Sequence, residues 1–207
     1  MIIEALIFDI GNVLVPFDWK PAENLFRLYS DHFSDDAEKA FRELIRRLDL
    51  GELTGEEFAS LGMRTIGFKR SATEFVAIWN SIFNDNPPMA RVVLGLKKRF
   101  PLFLISNISD LHHAYLTEKY GVFQHFLDGV YSYRAKCAKP DRRIFEMGVT
   151  QFGVNPEKTV FVDDLPANVE SASRVGLRSV QYDFRNHIEF ERWLALLGVE
   201  LGETEQV

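Results

Sequence analysis

The chain has 207 residues, 46% hydrophobic and 26% charged, which is typical of a globular protein. Its net charge of -6 argues against nucleic acid as the main partner, because phosphate backbones bind basic surfaces. The one cysteine cannot form an internal disulfide, and no apolar run approaches the roughly 20 residues of a membrane helix. The N-terminal segment lacks the features of a secretion signal. We therefore expect a soluble, cytoplasmic protein with no membrane or nucleic-acid partner.

The chain begins with a short apolar run, ALIF at Ala5–Phe8, that predicts a buried strand. The following segment, 15–86, shows helical periodicity without any strand pattern. Thr54 and Glu57 form a capping-box pattern at the start of one of its helices. The helices predicted in this segment are 21–29, 34–47, 54–65 and 72–83. We interpret 15–86 as a small all-helical cap inserted after the first strand.

From residue 87 onwards, strand patterns alternate with helical ones. The predicted strands are 102–105, 130–133, 159–162 and 178–181, and the predicted helices are 88–99, 110–120, 141–152, 166–175 and 187–197. Strands that are apolar throughout suit a parallel sheet covered on both faces. We predict an α/β fold with a doubly wound parallel sheet, formed by a core of residues 1–14 and 87–207.

Polar residues stand where the predicted strands end or the next helix begins. In an open parallel sheet, ligands bind at the carboxyl ends of the strands. A lone aspartate there is usually a cap or a turn former, but several polar groups at one edge indicate a catalytic site. The candidate residues are Asp9, Ser106, Asn107, Lys139, Asp163 and Asp164.

These residue types point to phosphate chemistry. Three carboxylates at one edge repel one another unless a cation joins them, and hard oxygen ligands suit Mg²⁺. We expect Asp9 and Asp164 to hold Mg²⁺, and Asp9 to attack phosphorus and form an aspartyl-phosphate. Lys139 would neutralise Asp9 and the transferred group, while the Ser106 hydroxyl binds phosphate oxygens. The expected activity is Mg²⁺-dependent hydrolysis of a phosphate monoester.

Four motifs, taken in order, resemble those of the haloacid dehalogenase superfamily. They are FDIGNVL at 8–14, LISN at 104–107, Lys139-Pro140 followed by RIF at 143–145, and FVDD at 161–164. Their spelling is most similar to the branch that contains bacterial α-D-glucose-1-phosphate phosphatase and the phosphatase domain of soluble epoxide hydrolase. The resemblance implies a Rossmann-like core, a small cap, and a small phosphorylated metabolite as partner. Among such substrates it favours a sugar phosphate such as glucose 1-phosphate.

The resemblance also implies a role for each matching residue. Asp9 is the nucleophile and a magnesium ligand. The backbone oxygen of Gly11 and the side chain of Asp164 are further metal ligands, and Asp163 acts through a metal-bound water. The residues that hold the phosphate are Ser106, Asn107 and Lys139.

Gly11 departs from the pattern of most phosphatases in this superfamily, which carry a second aspartate there as general acid and base. Glycine can offer its backbone oxygen to the metal but no proton, a contribution typically worth about 10²–10⁴-fold. The departure favours substrates with good leaving groups, unless His112 or His113 supplies the proton. A positive φ at Gly11 would also hinder any side chain there.

Other functions remain as alternatives. A 2-haloacid dehalogenase uses the same aspartate attack without metal, but Asp163 and Asp164 are poor neighbours for a carboxylate substrate. A non-catalytic relative that binds a phosphometabolite would explain Gly11, but not the intact Asp9 and Lys139. A phosphomutase must guard the phosphoryl group from water, and no feature of the sequence indicates this.

Residues outside the motifs give weaker indications. Arg46, Arg47 and Asp49, at the end of a predicted cap helix, are candidates for contact with substrate hydroxyls, although a solvated face is the simpler interpretation. Cys137 precedes Lys139 by two residues, and we expect it to be a packing residue.

Overall fold

The computed structural model describes residues 2–199 and residue 201. Its strands are β1 (Ala5–Phe8), β2 (Leu102–Ser106), β3 (Asp128–Tyr131), β4 (Thr159–Asp163) and β5 (Arg178–Gln181). All are parallel and form one sheet in the order β3-β2-β1-β4-β5, so the first strand lies at its centre. The predicted α/β fold is confirmed.

The α-helices divide into a group that follows β1 and a group that alternates with the later strands. They are α1 (Lys20–Leu28), α2 (Asp35–Asp49), α3 (Gly55–Ile66), α4 (Ala72–Asn80), α5 (Pro87–Leu96), α6 (Asp110–Lys119), α7 (Ser132–Ala135), α8 (Arg142–Phe152), α9 (Pro166–Arg174) and α10 (His187–Leu196). Short 3₁₀ turns lie at Gly121–His125, Pro156–Lys158 and Phe184–Asn186. Across the described residues, no helix is long and apolar enough to span a membrane.

Helices cover both faces of the sheet because successive residues of β1 point to opposite sides. Leu6 and Phe8 belong to a buried cluster with side chains of α5, α6 and α10. Ala5 and Ile7 belong to another, with side chains of α8 and α9. All four residues are nearly inaccessible to solvent, which explains why the run is apolar throughout.

The third strand is shifted from its predicted position. The sequence predicts 130–133, whereas β3 pairs Asp128 with Phe103 and ends where Tyr131 pairs with Ser106. Because β3 lies at the edge of the sheet, it begins with an exposed aspartate and a half-buried glycine, which hides its start from a search for apolar runs. The chain turns at Ser132, whose hydroxyl accepts a hydrogen bond from Ile108 N at 2.9 Å.

Helices α1 to α4, which we call the helical insertion, pack around an aromatic core of their own. Buried rings from all four helices meet there, and the centroids of Phe58 and Trp79 are 4.6 Å apart. The predicted capping box at Thr54 and Glu57 is confirmed, with both reciprocal hydrogen bonds present. The domain boundaries at 14/15 and 86/87 stay a prediction.

The two segments that connect the helical insertion to the sheet run side by side. Asp18 N donates to Ile82 O at 2.9 Å, and Asn84 N donates to Pro16 O at 2.8 Å. Close contacts between the insertion and the helices that follow β2 and β3 then fix its position. A Cβ at Gly51 would lie 2.0 Å from the carbonyl oxygen of Tyr133.

This contact generates a stability prediction. Gly51→Ala should destabilise the fold more than Gly153→Ala, because both glycines have φ +64° but only Gly51 meets another backbone. The left-handed conformation alone costs an alanine about 1–2 kcal/mol, and overpacking against Tyr133 adds about 1–3 kcal/mol. Urea unfolding of both variants measures the difference. Equal losses of unfolding free energy in the two variants would mean that the contact between Gly51 and Tyr133 does not contribute to stability.

Candidate active site

Three carboxylates meet at the carboxyl edge of the sheet. Asp9 follows β1, Asp163 ends β4 and Asp164 follows it, and each offers an oxygen within 4.8 Å of the others. The strand order brings them together, because β1 and β4 are neighbours and Asp9 N donates to Val162 O at 2.9 Å. The predicted convergence of carboxylates at one sheet edge is confirmed.

Lys139 supplies the positive charge at this edge. Its ammonium lies 2.7 Å from Oδ1 of Asp9 and 2.6 Å from Oδ2 of Asp163, and its side chain is almost fully buried. Asn107 positions the lysine through two hydrogen bonds, from Lys139 N to Oδ1 at 2.7 Å and from Nδ2 to Lys139 O at 2.8 Å. Asn107 therefore holds the lysine backbone, in addition to the phosphate-binding role predicted for it.

The electrostatics of the cluster show a shortage of positive charge. Burial raises the pKa of Asp9 to about 6; the charge of Asp163 adds to the rise, whereas Lys139 and a hydrogen bond from Ser106 oppose it. Burial also raises the pKa of Asp164, against a hydrogen bond from Asn12. One ammonium does not compensate three carboxylates, so an added cation would favour their ionised forms.

The donor set fits a hard divalent cation such as Mg²⁺, but the two motif aspartates differ in their availability. Asp163 is fully buried and already accepts hydrogen bonds from Leu165 N, Asn168 Nδ2 and Lys139 Nζ. Asp164 is partly exposed and accepts one side-chain hydrogen bond, from Asn12 Nδ2 at 3.0 Å. The Asp164 carboxylate is thus freer to bind a metal directly. The Asp163 carboxylate already accepts three hydrogen bonds, which suits a group that acts on the metal through another ligand.

The backbone that follows Asp9 differs from the sequence-based expectation. Asn12, not Gly11, has the left-handed conformation, with φ 55°. Asparagine tolerates this conformation better than most residues, and here it also orients Asp164. We did not predict this role, although an asparagine in a tight turn is a signal for it. A Cβ at Gly11 would meet the ring of Phe17, with 2.9 Å to Cε1.

A cavity of about 140 Å³ lies between the strand ends and the helical insertion. Its floor includes Gly11, Ser106 and Asn107, and its remaining lining is mainly aromatic and aliphatic. Asp49, at the end of α2, also lines this cavity and a second one of about 430 Å³ between α1 and α2. A ligand whose phosphate lies at Ser106 would therefore extend towards Asp49.

Other residues singled out in the sequence lie away from the reacting centre. Arg46 and Arg47 lie within ion-pair distance of Glu52 at the exposed end of α2 and do not line the cavity of about 140 Å³. Cys137 is buried with its sulfur 4.0 Å from the sulfur of Met147, as expected for a packing residue.

Fold and site together define a hydrolase of the α/β class with an aspartate directly after the first strand and an aspartate pair at the end of the fourth strand. Residues 3–176 match the family model for haloacid dehalogenase-like hydrolases. The chain therefore belongs to that family, as its motifs predict.

Similar proteins include two curated phosphatases. D-ribitol-5-phosphate phosphatase of Bacteroides thetaiotaomicron is 24% identical over 188 residues, covering 86% of this chain and 91% of the relative. A phosphatase of Mycobacterium tuberculosis is 27% identical over 192 residues, covering 88% of each. A crystal structure of a family enzyme from Bacteroides thetaiotaomicron, in complex with magnesium, has a TM-score of 0.79 and 25% identity, covering 87% of this chain and 93% of that one.

The different surroundings of the two motif aspartates generate a prediction. Asp164→Asn should weaken Mg²⁺ binding more than Asp163→Asn, whose outer-shell effect we expect to be on the order of 10–100-fold. Asp163→Asn should instead lower the free energy of unfolding, by about 3 kcal/mol, because it breaks a buried ion pair with Lys139. Calorimetric Mg²⁺ titration and urea unfolding measure the two effects. Unchanged Mg²⁺ affinity in Asp164→Asn would remove Asp164 from the metal site.

Proposed function

We propose that this enzyme hydrolyses a small sugar or sugar-alcohol phosphate through an aspartyl-phosphate on Asp9, with Mg²⁺ as cofactor. One observation carries the proposal: the Asp9 carboxylate lies at the strand end beside a buried ammonium and two further carboxylates. Membership of the family, the curated phosphatase relatives and the acidic cluster support phosphatase activity. The particular branch and a cytoplasmic location stay predictions.

Four residues of the core have separate roles in the proposed reaction. Asp9 attacks phosphorus, and Lys139 holds it in place while neutralising charge on the phosphoryl oxygens. Ser106, at the end of β2, contributes a hydroxyl that hydrogen-bonds Asp9 and is available to a phosphate oxygen. Asn107 keeps Lys139 in position and has one amide N–H left for the phosphate.

Mg²⁺ would be held by the side chains of Asp9 and Asp164 and the backbone oxygen of Gly11. Bound there, it supplies charge neutralisation that lets an anionic substrate approach a carboxylate nucleophile. The magnesium complex of the Bacteroides family enzyme supports this choice of ion. Asp163 orients Lys139 and the turn at Leu165, which keeps the cluster rigid.

The size of the cavity and the polar residues in its wall support a small leaving group that carries hydroxyls. The cavity volume of about 140 Å³ is below the 300–1,000 Å³ typical of drug-sized ligands. Asp49 lines the cavity, and its carboxyl group has no hydrogen-bond partner within the described chain. Sugar hydroxyls can pair with this carboxyl group. The relative that acts on D-ribitol 5-phosphate points to the same class.

The alternatives fit the site less well. A haloacid substrate would bring a carboxylate into a cluster already short of positive charge. A non-catalytic protein that binds a phosphometabolite would not need the Asp9 carboxylate, whose negative charge repels a phosphate. A dehalogenase would turn over without Mg²⁺, and a non-catalytic relative would show no turnover.

The nucleophile is the first part of the proposal to test. Asp9→Asn should lower p-nitrophenyl phosphate hydrolysis by more than about 100-fold, because an amide cannot form the aspartyl-phosphate. The variant should remain folded, because an asparagine occupies the same volume, although the loss of the buried ion pair with Lys139 should lower its stability. Asp36→Asn, an exposed change on α2, is the matched control and should behave as wild type. Residual activity above about a hundredth in the folded variant would contradict the nucleophile assignment.

A further inference from the structure

Hydrolysis of an alkyl phosphate ester, the proposed function on which this inference rests, needs a proton donor for the departing oxygen. Gly11 has no side chain to supply that proton. The ring of Phe17 covers the space beside Gly11, where an added Cβ would come within 2.9 Å. The turn after β1 therefore offers no proton donor, and another element has to provide one.

The histidines after β2 do not fill this role. His112 is buried, its Nε2 lies 3.0 Å from Trp79 O, and its ring stacks on Trp79. Burial lowers the pKa of His112 to about 4, so the imidazole is neutral near pH 7. His113 is not among the residues that line the cavity, and its Nδ1 lies 3.3 Å from the hydroxyl of Tyr133. His112 thus packs the helical insertion against the core, and His113 packs against the rings of Tyr131 and Tyr133.

Asp49 remains as the one carboxylic acid among the described residues that line the cavity. It is the last residue of α2 and shares the cavity with Gly11 and Ser106, on the side away from the sheet. Its carboxyl group forms no hydrogen bond and no ion pair within the part of the chain that the structure describes. A carboxyl group with no structural partner is available to a ligand.

Backbone contacts fix Asp49 relative to the phosphate end of the cavity. Its carbonyl oxygen accepts a hydrogen bond from Ser132 Oγ at 2.6 Å. The same hydroxyl oxygen accepts from Ile108 N at 2.9 Å, two residues beyond Ser106. Gly51 packs directly on the backbone of Tyr133, and its carbonyl accepts a hydrogen bond from Lys136 Nζ. Asp49 is thereby held to the core by its main chain, which leaves its side chain free.

The surroundings of Asp49 also suit proton transfer. Burial among apolar side chains raises the pKa of its carboxyl to about 7. At neutral pH a sizeable fraction of the molecules carries the proton, and the remainder can accept one. This is the range in which a general acid and base works best.

We propose that Asp49 donates a proton to the leaving-group oxygen and then accepts one from the attacking water. In the first step the Asp9 oxygen–phosphorus bond forms, the ester phosphorus–oxygen bond breaks, and the Asp49 proton converts the departing alkoxide to an alcohol. In the second step water attacks phosphorus, its proton passes to Asp49, and Asp9 leaves as a carboxylate. The net reaction adds one water to the ester, and Asp49 ends as it began.

Asp49→Asn separates this role from binding or structure. The asparagine keeps size and hydrogen bonding but has no proton to give. In single turnovers, alcohol release from glycerol phosphate should fall by about 100-fold or more, within the usual contribution of general acid catalysis. The initial burst of p-nitrophenolate from p-nitrophenyl phosphate should stay within about threefold of wild type, because that leaving group needs no proton. Slow steady-state turnover should follow the burst, since the base for the second step is missing.

Two further variants serve as controls. Asp49→Glu restores a carboxyl and should recover part of the glycerol phosphate activity, and Asp36→Asn should match wild type on both substrates. Equal losses on both substrates, or no loss on either, would overturn the role of Asp49 while leaving Asp9 and the proposed function in place. Absence of Mg²⁺-dependent turnover of any phosphate ester by the wild type would instead overturn the proposed function, and the role of Asp49 with it.

Discussion

The ammonium of Lys139 lies between the carboxylates of Asp9 and Asp163, and the rest of the site depends on this buried contact. Charges removed from water are stable only when they are paired and hydrogen-bonded. The neighbouring strands β1 and β4 bring the carboxylates together, and Asn107 fixes the lysine backbone opposite them. Because the cluster holds three carboxylates and one ammonium, a hard cation bound there would favour their ionised forms. The proposed mechanism uses the same arrangement, since Lys139 would lie within reach of a phosphoryl group on Asp9.

The position of the helical insertion depends on close backbone contact rather than on charge. Gly51 meets the carbonyl of Tyr133, and Gly55 allows Leu111 to approach while its N–H donates to Asp110 at 3.0 Å. His112 adds a contact with Trp79 O. These contacts join the helices that follow β2 and β3 to the ends of α2, α3 and α4. The wall of the cavity is therefore built by the docking of two separately packed clusters.

The sequence predicted the parts of the molecule that are encoded locally. The strands, the Asp9 turn and the Asp163-Asp164 pair follow from short apolar runs and from the rule that parallel strands place their ends at one edge. The start of β3 was missed because an edge strand lacks the apolar pattern. The contact of Phe17 with Gly11 and the partial burial of Asp49 depend on how the insertion docks, which no local pattern encodes.

Asn12 combines a local role in the turn after Asp9 with a hydrogen bond to a residue far away in the chain. The turn after Asp9 requires a left-handed conformation at position 12, and asparagine adopts it at low cost. The same side chain donates to Asp164, 152 residues later in the chain, and so links the turn after Asp9 to the carboxylate cluster. The sequence analysis considered a left-handed conformation at Gly11 rather than at Asn12. The contact of Asn12 with Asp164 across the sheet has no local signal in the sequence.

The proposed site combines a nucleophile and metal ligands on the sheet with a carboxyl group on the insertion. A molecule in which α2 has moved away from Ser132 and Tyr133 retains Asp9, Lys139 and Asp164 but loses one wall of the cavity and its free acid. Under the proposed role of Asp49, hydrolysis of an alkyl phosphate then requires the insertion to be docked, because a site without this wall lacks the acid that would release the alcohol. With the proposed acid on a different element, the position two residues after Asp9 needs no side chain for proton transfer, and glycine suffices there. In this proposal the wall that contacts the leaving group is also the one that protonates it, which links substrate choice to catalysis.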